Sequence, residues 1–210
     1  MKQNQNIFSC GLVLLSVMVA PAAELKVKSP DGNVSATFAD GGRLSYAVKF
    51  RGQTALETSA LGIMVDDNDL GQNAAFSGTP EFSTVKETYP TRGVHPVAVN
   101  HYRATIVPVR NGEANWQLEV RVYDDGVAYR YRVPGSGNRR IGGEASEWRM
   151  PVGTRFWHQS SGNRSYEARY VPDIAGQSLT THRSMAPMAV KFPGNFGYGL
   201  VTEANLVSYS

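Results

Sequence analysis

The residues most capable of chemistry lie at the end of the chain, in "YGLVTEANLVSYS" (198–210). Tyr198 to Thr202 alternates like a buried strand, and Glu203, Ala204 and Asn205 then set a carboxylate and an amide directly after it. A second group lies upstream: Trp148, Trp157, Tyr166 and Tyr170 are close in sequence to Glu144, Glu147 and Glu167. Rings beside carboxylates can hold a sugar, because the rings cover C–H faces while the carboxylates take hydroxyls. The plainer reading makes these rings core residues of strands, for which Trp and Tyr are ordinary choices.

Other signatures are excluded. His95, His101, His158 and His182 have no metal-binding spacing. There is no G-x-S-x-G elbow and no glycine-rich phosphate loop. "DDNDLG" (66–71) is a poor calcium loop, since Leu70 takes a ligand position and Ser77 stands where a bidentate Glu belongs, so it reads as an acidic surface turn. Asn33-Val34-Ser35 and Asn163-Arg164-Ser165 match a glycosylation pattern that matters only in a host that glycosylates.

Residues 1–23 read as a cleavable signal peptide. Lys2 supplies a basic start, Ile7 to Ala20 is largely apolar, and Ala20-Pro21-Ala22 and Pro21-Ala22-Ala23 offer small-residue cleavage sites after residue 22 or 23. The implied location is periplasmic or secreted, with no membrane association in the mature form. Cleavage removes Cys10, the single cysteine, which leaves no thiolate nucleophile, disulfide or cysteine metal site. It also removes Lys2 alone among the charged residues, so the formal charge falls from +3 to +2. Nothing in that balance points to nucleic acid. Arg139-Arg140 reads as a solvated loop tip.

The elements that must position these groups are strands. Helical periodicity is nearly absent after residue 24, whereas alternation is pervasive. Segments 33–39 and 43–50 flank Asp40-Gly41-Gly42 as a hairpin. Segments 102–110, 114–123 and 127–133 meet across Asn111-Gly112 and Asp125-Gly126, dipeptides that favour the left-handed turns of hairpins. In the last of these, Val127, Tyr129, Tyr131 and Val133 share one face, and Ala128, Arg130 and Arg132 the other. Further strands are expected at 81–88, 145–150, 154–158, 166–171, 188–192 and 198–202, with a long functional or mobile loop from Pro172 to Pro187. Residues 24–210 thus read as one all-β domain, a large antiparallel sandwich of two packed twisted sheets. Motifs alone carry the reading no further than an exported β-sandwich.

The wording of three segments is more specific. "SPDGNVSATFADGGRLSYAVKFRGQTALETSALGI", "EVRVYDDGVAYRYRVP" and "YGLVTEANLVSYS" together resemble the N-terminal domain of glycoside hydrolase family 97, from about Leu25 to the C-terminus. The Pro172–Pro187 segment departs from that pattern. The resemblance implies a β-supersandwich followed, in complete members, by a (β/α)8 catalytic barrel and a small β domain. Such enzymes are exo-acting α-glycosidases, α-glucosidases and α-galactosidases among them, with inverting and retaining branches. Their catalytic carboxylates lie on the barrel, so none is expected in this chain, which should not hydrolyse α-glycosides alone. The chain would then be the front portion of a larger enzyme, forming one wall of an active site for an α-linked oligosaccharide. The resemblance also makes Glu203 a ligand of an active-site calcium ion completed by barrel glutamates. Two other classes stay open at this level: a free-standing exported carbohydrate-binding module, and an outer-membrane barrel, which the charged Arg130 and Arg132 face disfavours.

Overall fold

The computed structural model describes residues 22–160, 170–175 and 184–204. Among these residues there are strands and irregular chain but no helix. Strands β1 (Glu24–Lys28), β2 (Val34–Ala39), β3 (Ser45–Phe50) and β4 (Gln53–Ala60) form an antiparallel sheet in that order. The 40–42 hairpin closes as expected, pairing Ala39 with Ser45. Sequence reading missed β4. The turn before it is Arg51-Gly52, both at positive φ (49° and 80°). That is the geometry of a two-residue hairpin loop, written here without the Asn or Asp that usually announces it.

A second sheet is built on the long strand β9 (Val97–Asn111). One side of β9 pairs with β10 (Ala114–Tyr123) and through it β11 (Val127–Arg132); the other pairs with β7 (Ala75–Phe76) and β8 (Glu81–Pro90). Among the described residues β8 pairs with β9 alone, so its outer edge is open. Alternation decides which side chains turn inward: Trp116, Leu118, Val120 and Val122 on β10 meet Val34, Ala36 and Phe38 on β2 in one buried cluster. The two sheets therefore pack face to face. Each buried Val, Leu or Phe contributes about 1.5–3 kcal/mol relative to exposure, which makes this layer the chief source of stability.

Two smaller sheets complete the described chain. In the first, β5 (Ile63–Val65) lies between β12 (Ile141–Glu144) and β6 (Asn68–Asp69). Here the acidic turn and the basic pair meet. Asp66 accepts from Arg139, and Asp67 pairs with Arg140. Arg139-Arg140 is thus a clasp across more than seventy residues and not a free loop tip. In the second, the order is β14 (Tyr170–Ala175), β13 (Arg155–Ser160), β15 (Ser184–Lys191), β16 (Tyr198–Val201). The described strands make four open antiparallel sheets, where two had been expected.

Two expectations need correction. Residues 145–150 are irregular; the strand precedes them, at Ile141–Glu144. The alternation there is real, but Ala145 and Glu147 bond singly to Gly62 and Ala60 instead of forming a ladder. The expected Pro172–Pro187 loop carries strand at both ends, and residues 176–183 lie outside the described chain. Proline argues against strand because it cannot donate to the ladder. Pro172 and Pro187 evade that penalty by lying where the β13–β14 and β13–β15 registers shift.

Candidate functional site

Glu203 follows β16 by two residues and is exposed. Its position is set by a turn and a ladder. Phe192 N–H donates to Gly197 O at 3.0 Å, and the Phe192 and Phe196 rings meet at 4.9 Å. β16 then pairs along β15 from Tyr198–Lys191 to Val201–Met188. Gly199 is required at the crossing: a Cβ there would stand 3.0 Å from the Phe192 ring and 3.1 Å from Val190 Cγ2. The strand is held close to β15, and its end points the chain to Glu203.

The sheet carrying Glu203 has two unlike faces. Phe156, His158 and Val190 are buried on one. On the other, cross-strand register aligns Arg155, Lys191 and Tyr198 in one row and Trp157, Ala189 and Leu200 in the next. Tyr198 is 73% exposed and Leu200 63%. Lys191 Nζ lies 5.9 Å from the Tyr198 ring centroid, at the outer limit of a cation–π contact. This face is apolar and aromatic with cations at one end, and Glu203 stands just past the other. Its signal in the sequence was the alternation of 198–202, read as a buried strand; Tyr198 and Leu200 are in fact outside.

Glu203 has no partner carboxylates. Among the described residues no three His, Cys, Asp or Glu side chains gather into a metal site. Calcium takes six to eight oxygen ligands. Glu203 fits such an ion only as a contributor of one or two oxygens to a site completed elsewhere. The aromatic and acidic group of 144–170 is not assembled either. Trp148 is 42% exposed in irregular chain, so it is not a core ring. Glu147 accepts from Arg149 Nε at 3.0 Å, and Trp157 belongs to the face just described. Tyr166 and Glu167 lie outside the described residues, as do His182, Asn163 and the side chain of Tyr170. His158 is fully buried, its Nδ1 2.9 Å from Ser184 Oγ.

With this geometry established, comparison with known proteins is decisive. The family profile described as "Glycosyl-hydrolase 97 N-terminal" matches residues 27–210. The chain belongs to this family. A retaining alpha-galactosidase of Bacteroides thetaiotaomicron is 31% identical over 222 residues, covering all of this chain and 32% of the relative. A probable retaining alpha-galactosidase of Streptomyces bingchenggensis is 39% identical over 120 residues, 55% of this chain and 18% of its own length. The chain thus spans about a third or less of the curated relatives it matches. A beta-arabinopyranosidase structure superposes with a TM-score of 0.76 at 24% identity, over 86% of this chain and 31% of that one. A family 97 enzyme from a Pseudoalteromonas species, in complex with panose, gives 0.71 at 20% identity, over 80% and 27%. These two likenesses establish the fold.

One polar centre of this glycosyl-hydrolase 97 N-terminal domain escaped sequence reading. Hairpin register through the 124–126 turn sets Glu119 opposite Arg130 and Gln117 opposite Arg132. Glu119 lies on the outer face of β10, yet its side chain is only 8% exposed, because arginines cover it. Arg121 donates from Nε and Nη2 to Oε1 at 3.1 and 2.9 Å, and stacks 4.9 Å from the Tyr102 ring centroid. Arg130 donates from Nε to Oε2 at 2.8 Å, and its Nη2 forms an ion pair with the same oxygen at 2.6 Å. Burial pushes the Glu119 carboxyl up, but the Arg130 and Arg121 hydrogen bonds outweigh it and hold the pKa below its ordinary value. The signal was present: an acid eleven residues before an arginine, symmetrically placed about an Asp-Gly turn. Nearby, Tyr131 Oη accepts from Gly62 N–H at 2.9 Å and lies 2.8 Å from Ser146 Oγ, tying β11 to the β5 region. Burial raises the Tyr131 hydroxyl well above its usual range.

Proposed function

We propose that this chain is the N-terminal supersandwich domain of an exported α-glycosidase. In this reading it packs on a (β/α)8 catalytic barrel, forms one wall of the active site, and contributes Glu203 to a calcium ion shared with that barrel. The observation that carries the reading is the sheet face on which Tyr198 and Leu200 are exposed beside half-buried Trp157 and Ala189, ending at Glu203, within a chain matched from 27 to 210 by the family. Aromatic and aliphatic side chains on a rigid sheet are the surface expected of an interdomain contact. The alpha-galactosidase relatives, three times the length of this chain or more, support a larger enzyme with an α-linked saccharide as substrate. Calcium would supply a fixed positive charge at the junction, lowering nearby carboxylate pKa values. The acid and base or nucleophile would come from the barrel, since glycoside hydrolysis needs two flanking carboxyl groups. Residues 1–22 or 1–23 would be removed on export to the periplasm or medium.

The test uses the enzyme with its catalytic portion present. Glu203→Gln should lower calcium affinity and activity together, with the circular dichroism of the β domain unchanged. Calcium dependence that is the same in Glu203→Gln and wild type removes Glu203 from the site. Chain comprising residues 24–210 alone should show no turnover of nitrophenyl α-galactoside or α-glucoside. Turnover that a substitution within 24–210 abolishes would place the catalytic groups here instead.

A further inference from the structure

The Glu119 centre holds more positive charge than it uses. Arg121 donates two hydrogen bonds to one carboxylate oxygen, and Arg130 donates one to the other, with its Nη2 in an ion pair at 2.6 Å. Arg132 approaches to 3.9 Å, beyond hydrogen-bond reach, and its side chain is 45% exposed. It makes no hydrogen bond to any described residue. Three guanidiniums thus surround one carboxylate, and the third has all its donors open.

Apart from Glu119, whose two oxygens are taken by Arg121 and Arg130, no acid among the described residues forms an ion pair with Arg132. Arg132 lines a cleft of about 490 Å³ at the end of the β10–β11 hairpin, and none of the cleft's lining residues is acidic. Gln117, the cross-strand neighbour of Arg132, and Asn115 bring two amides to the lining; Pro108 and Pro134 bring apolar wall. The Gln117 amide has no described hydrogen-bond partner, and Asn115 has only a 3.4 Å contact to Glu113 O. Trp116 and Val133 border the cleft as well, but their side chains turn to the core on the other face. A cleft of this size with apolar walls and a few convergent polar groups is the common form of a small-molecule site.

We infer that this cleft binds a carboxylate-bearing sugar, a hexuronate, with Arg132 as its anion anchor. A hexuronate offers three matching features in one ring. Its carboxylate takes two parallel N–H bonds from a guanidinium, a pairing a neutral sugar lacks. Its hydroxyls exchange hydrogen bonds with Asn115 and Gln117, and its C–H face lies on the Pro108 and Pro134 wall. The site is distinct from the Glu203 face, and the inference stands or falls without reference to catalysis.

Calorimetric titration of the full chain at low ionic strength tests it, with glucuronate, glucose and acetate as probes. Glucuronate should bind saturably, with glucose and acetate each weaker by about tenfold or more, the loss of one charged or several neutral hydrogen bonds. Arg132→Gln should weaken glucuronate about tenfold while leaving glucose unchanged, and added salt should act in the same direction. Gln117→Leu should weaken glucuronate but not acetate. Because Arg132 is exposed and outside the carboxylate's hydrogen bonds, thermal unfolding of Arg132→Gln should match wild type. No saturable glucuronate binding, equal affinity in Arg132→Gln, or acetate binding as tightly as glucuronate overturns the proposal.

Discussion

The sandwich of β1–β4 against β11–β10–β9 and the terminal sheet of β13–β16 are built from similar strands but are finished differently. In the sandwich, Phe38, Leu118 and Val120 close against one another, and the outer face of β10 and β11 over them carries Glu119, Arg121, Arg130 and Arg132. In the terminal sheet, Val190 and Phe156 are covered while Leu200 and Tyr198 are not. Both regions obey the same alternation. What differs is whether each apolar row has found its opposite layer. A completed row measures what holds this domain together, and an uncompleted row marks where something else is to be held.

The largest effect that would break this comparison concerns Leu118. Leu118→Ala should cost about 2–5 kcal/mol in urea unfolding, the range for a leucine removed from a sealed core. Leu200→Ala on the terminal sheet should stay within about 0.5 kcal/mol. Equal losses would mean that the terminal face is already covered. Glu119→Gln comes next, at about 1–2 kcal/mol; a fully buried pair would lose more, but Arg130 and Arg132 remain half in water. Acid sharpens the same point. The Glu119 carboxyl is held below its ordinary value of 4.5, so its contribution is complete above pH 4.5 and lost as pH falls through and below that value. Unfolding midpoints of wild type and Glu119→Gln should therefore converge from neutral pH towards acid. A gap that widens in acid would reverse the sign. The smallest effect is Glu203→Gln, which should leave the unfolding curve of this chain unmoved, because nothing described packs on that carboxylate.

Hairpins with Asn-Gly or Asp-Gly turns were legible in the sequence because their turn chemistry is local. β10 and β11 emerged at their expected bounds to within a residue, while β9 begins at Val97, five residues before its expected start. Strand β4 was not legible, because Arg51 adopts positive φ under tertiary constraint, for which its side chain gives no sign. The ends of 172–187 were hidden by prolines that sit at register shifts, a feature of pairing partners and not of the segment itself. Glu203 was legible as a residue worth attention through its family setting, and its surroundings as an exposed face were not. Alternation tells that two faces differ without telling which one is covered. Glu119 shows the same limit in reverse: an acid on an outward face was buried by its neighbours' side chains, which periodicity does not register.

The open edge of β8 has a consequence for how the protein behaves in the tube. Every second residue of this ten-residue strand turns its amide and carbonyl groups to the open side, unpaired among the described residues, and Phe82, 64% exposed, lies at the start of that edge. Such an edge templates another strand, and the nearest candidate during overexpression is the same strand of a neighbouring chain. Lys86 in mid-strand and Pro90 at its end oppose that pairing, the first by repulsion between copies and the second by lacking a donor. Shelf life at high concentration therefore rests on two residues that contribute nothing to the core, and salt, which screens the lysines, should shorten it.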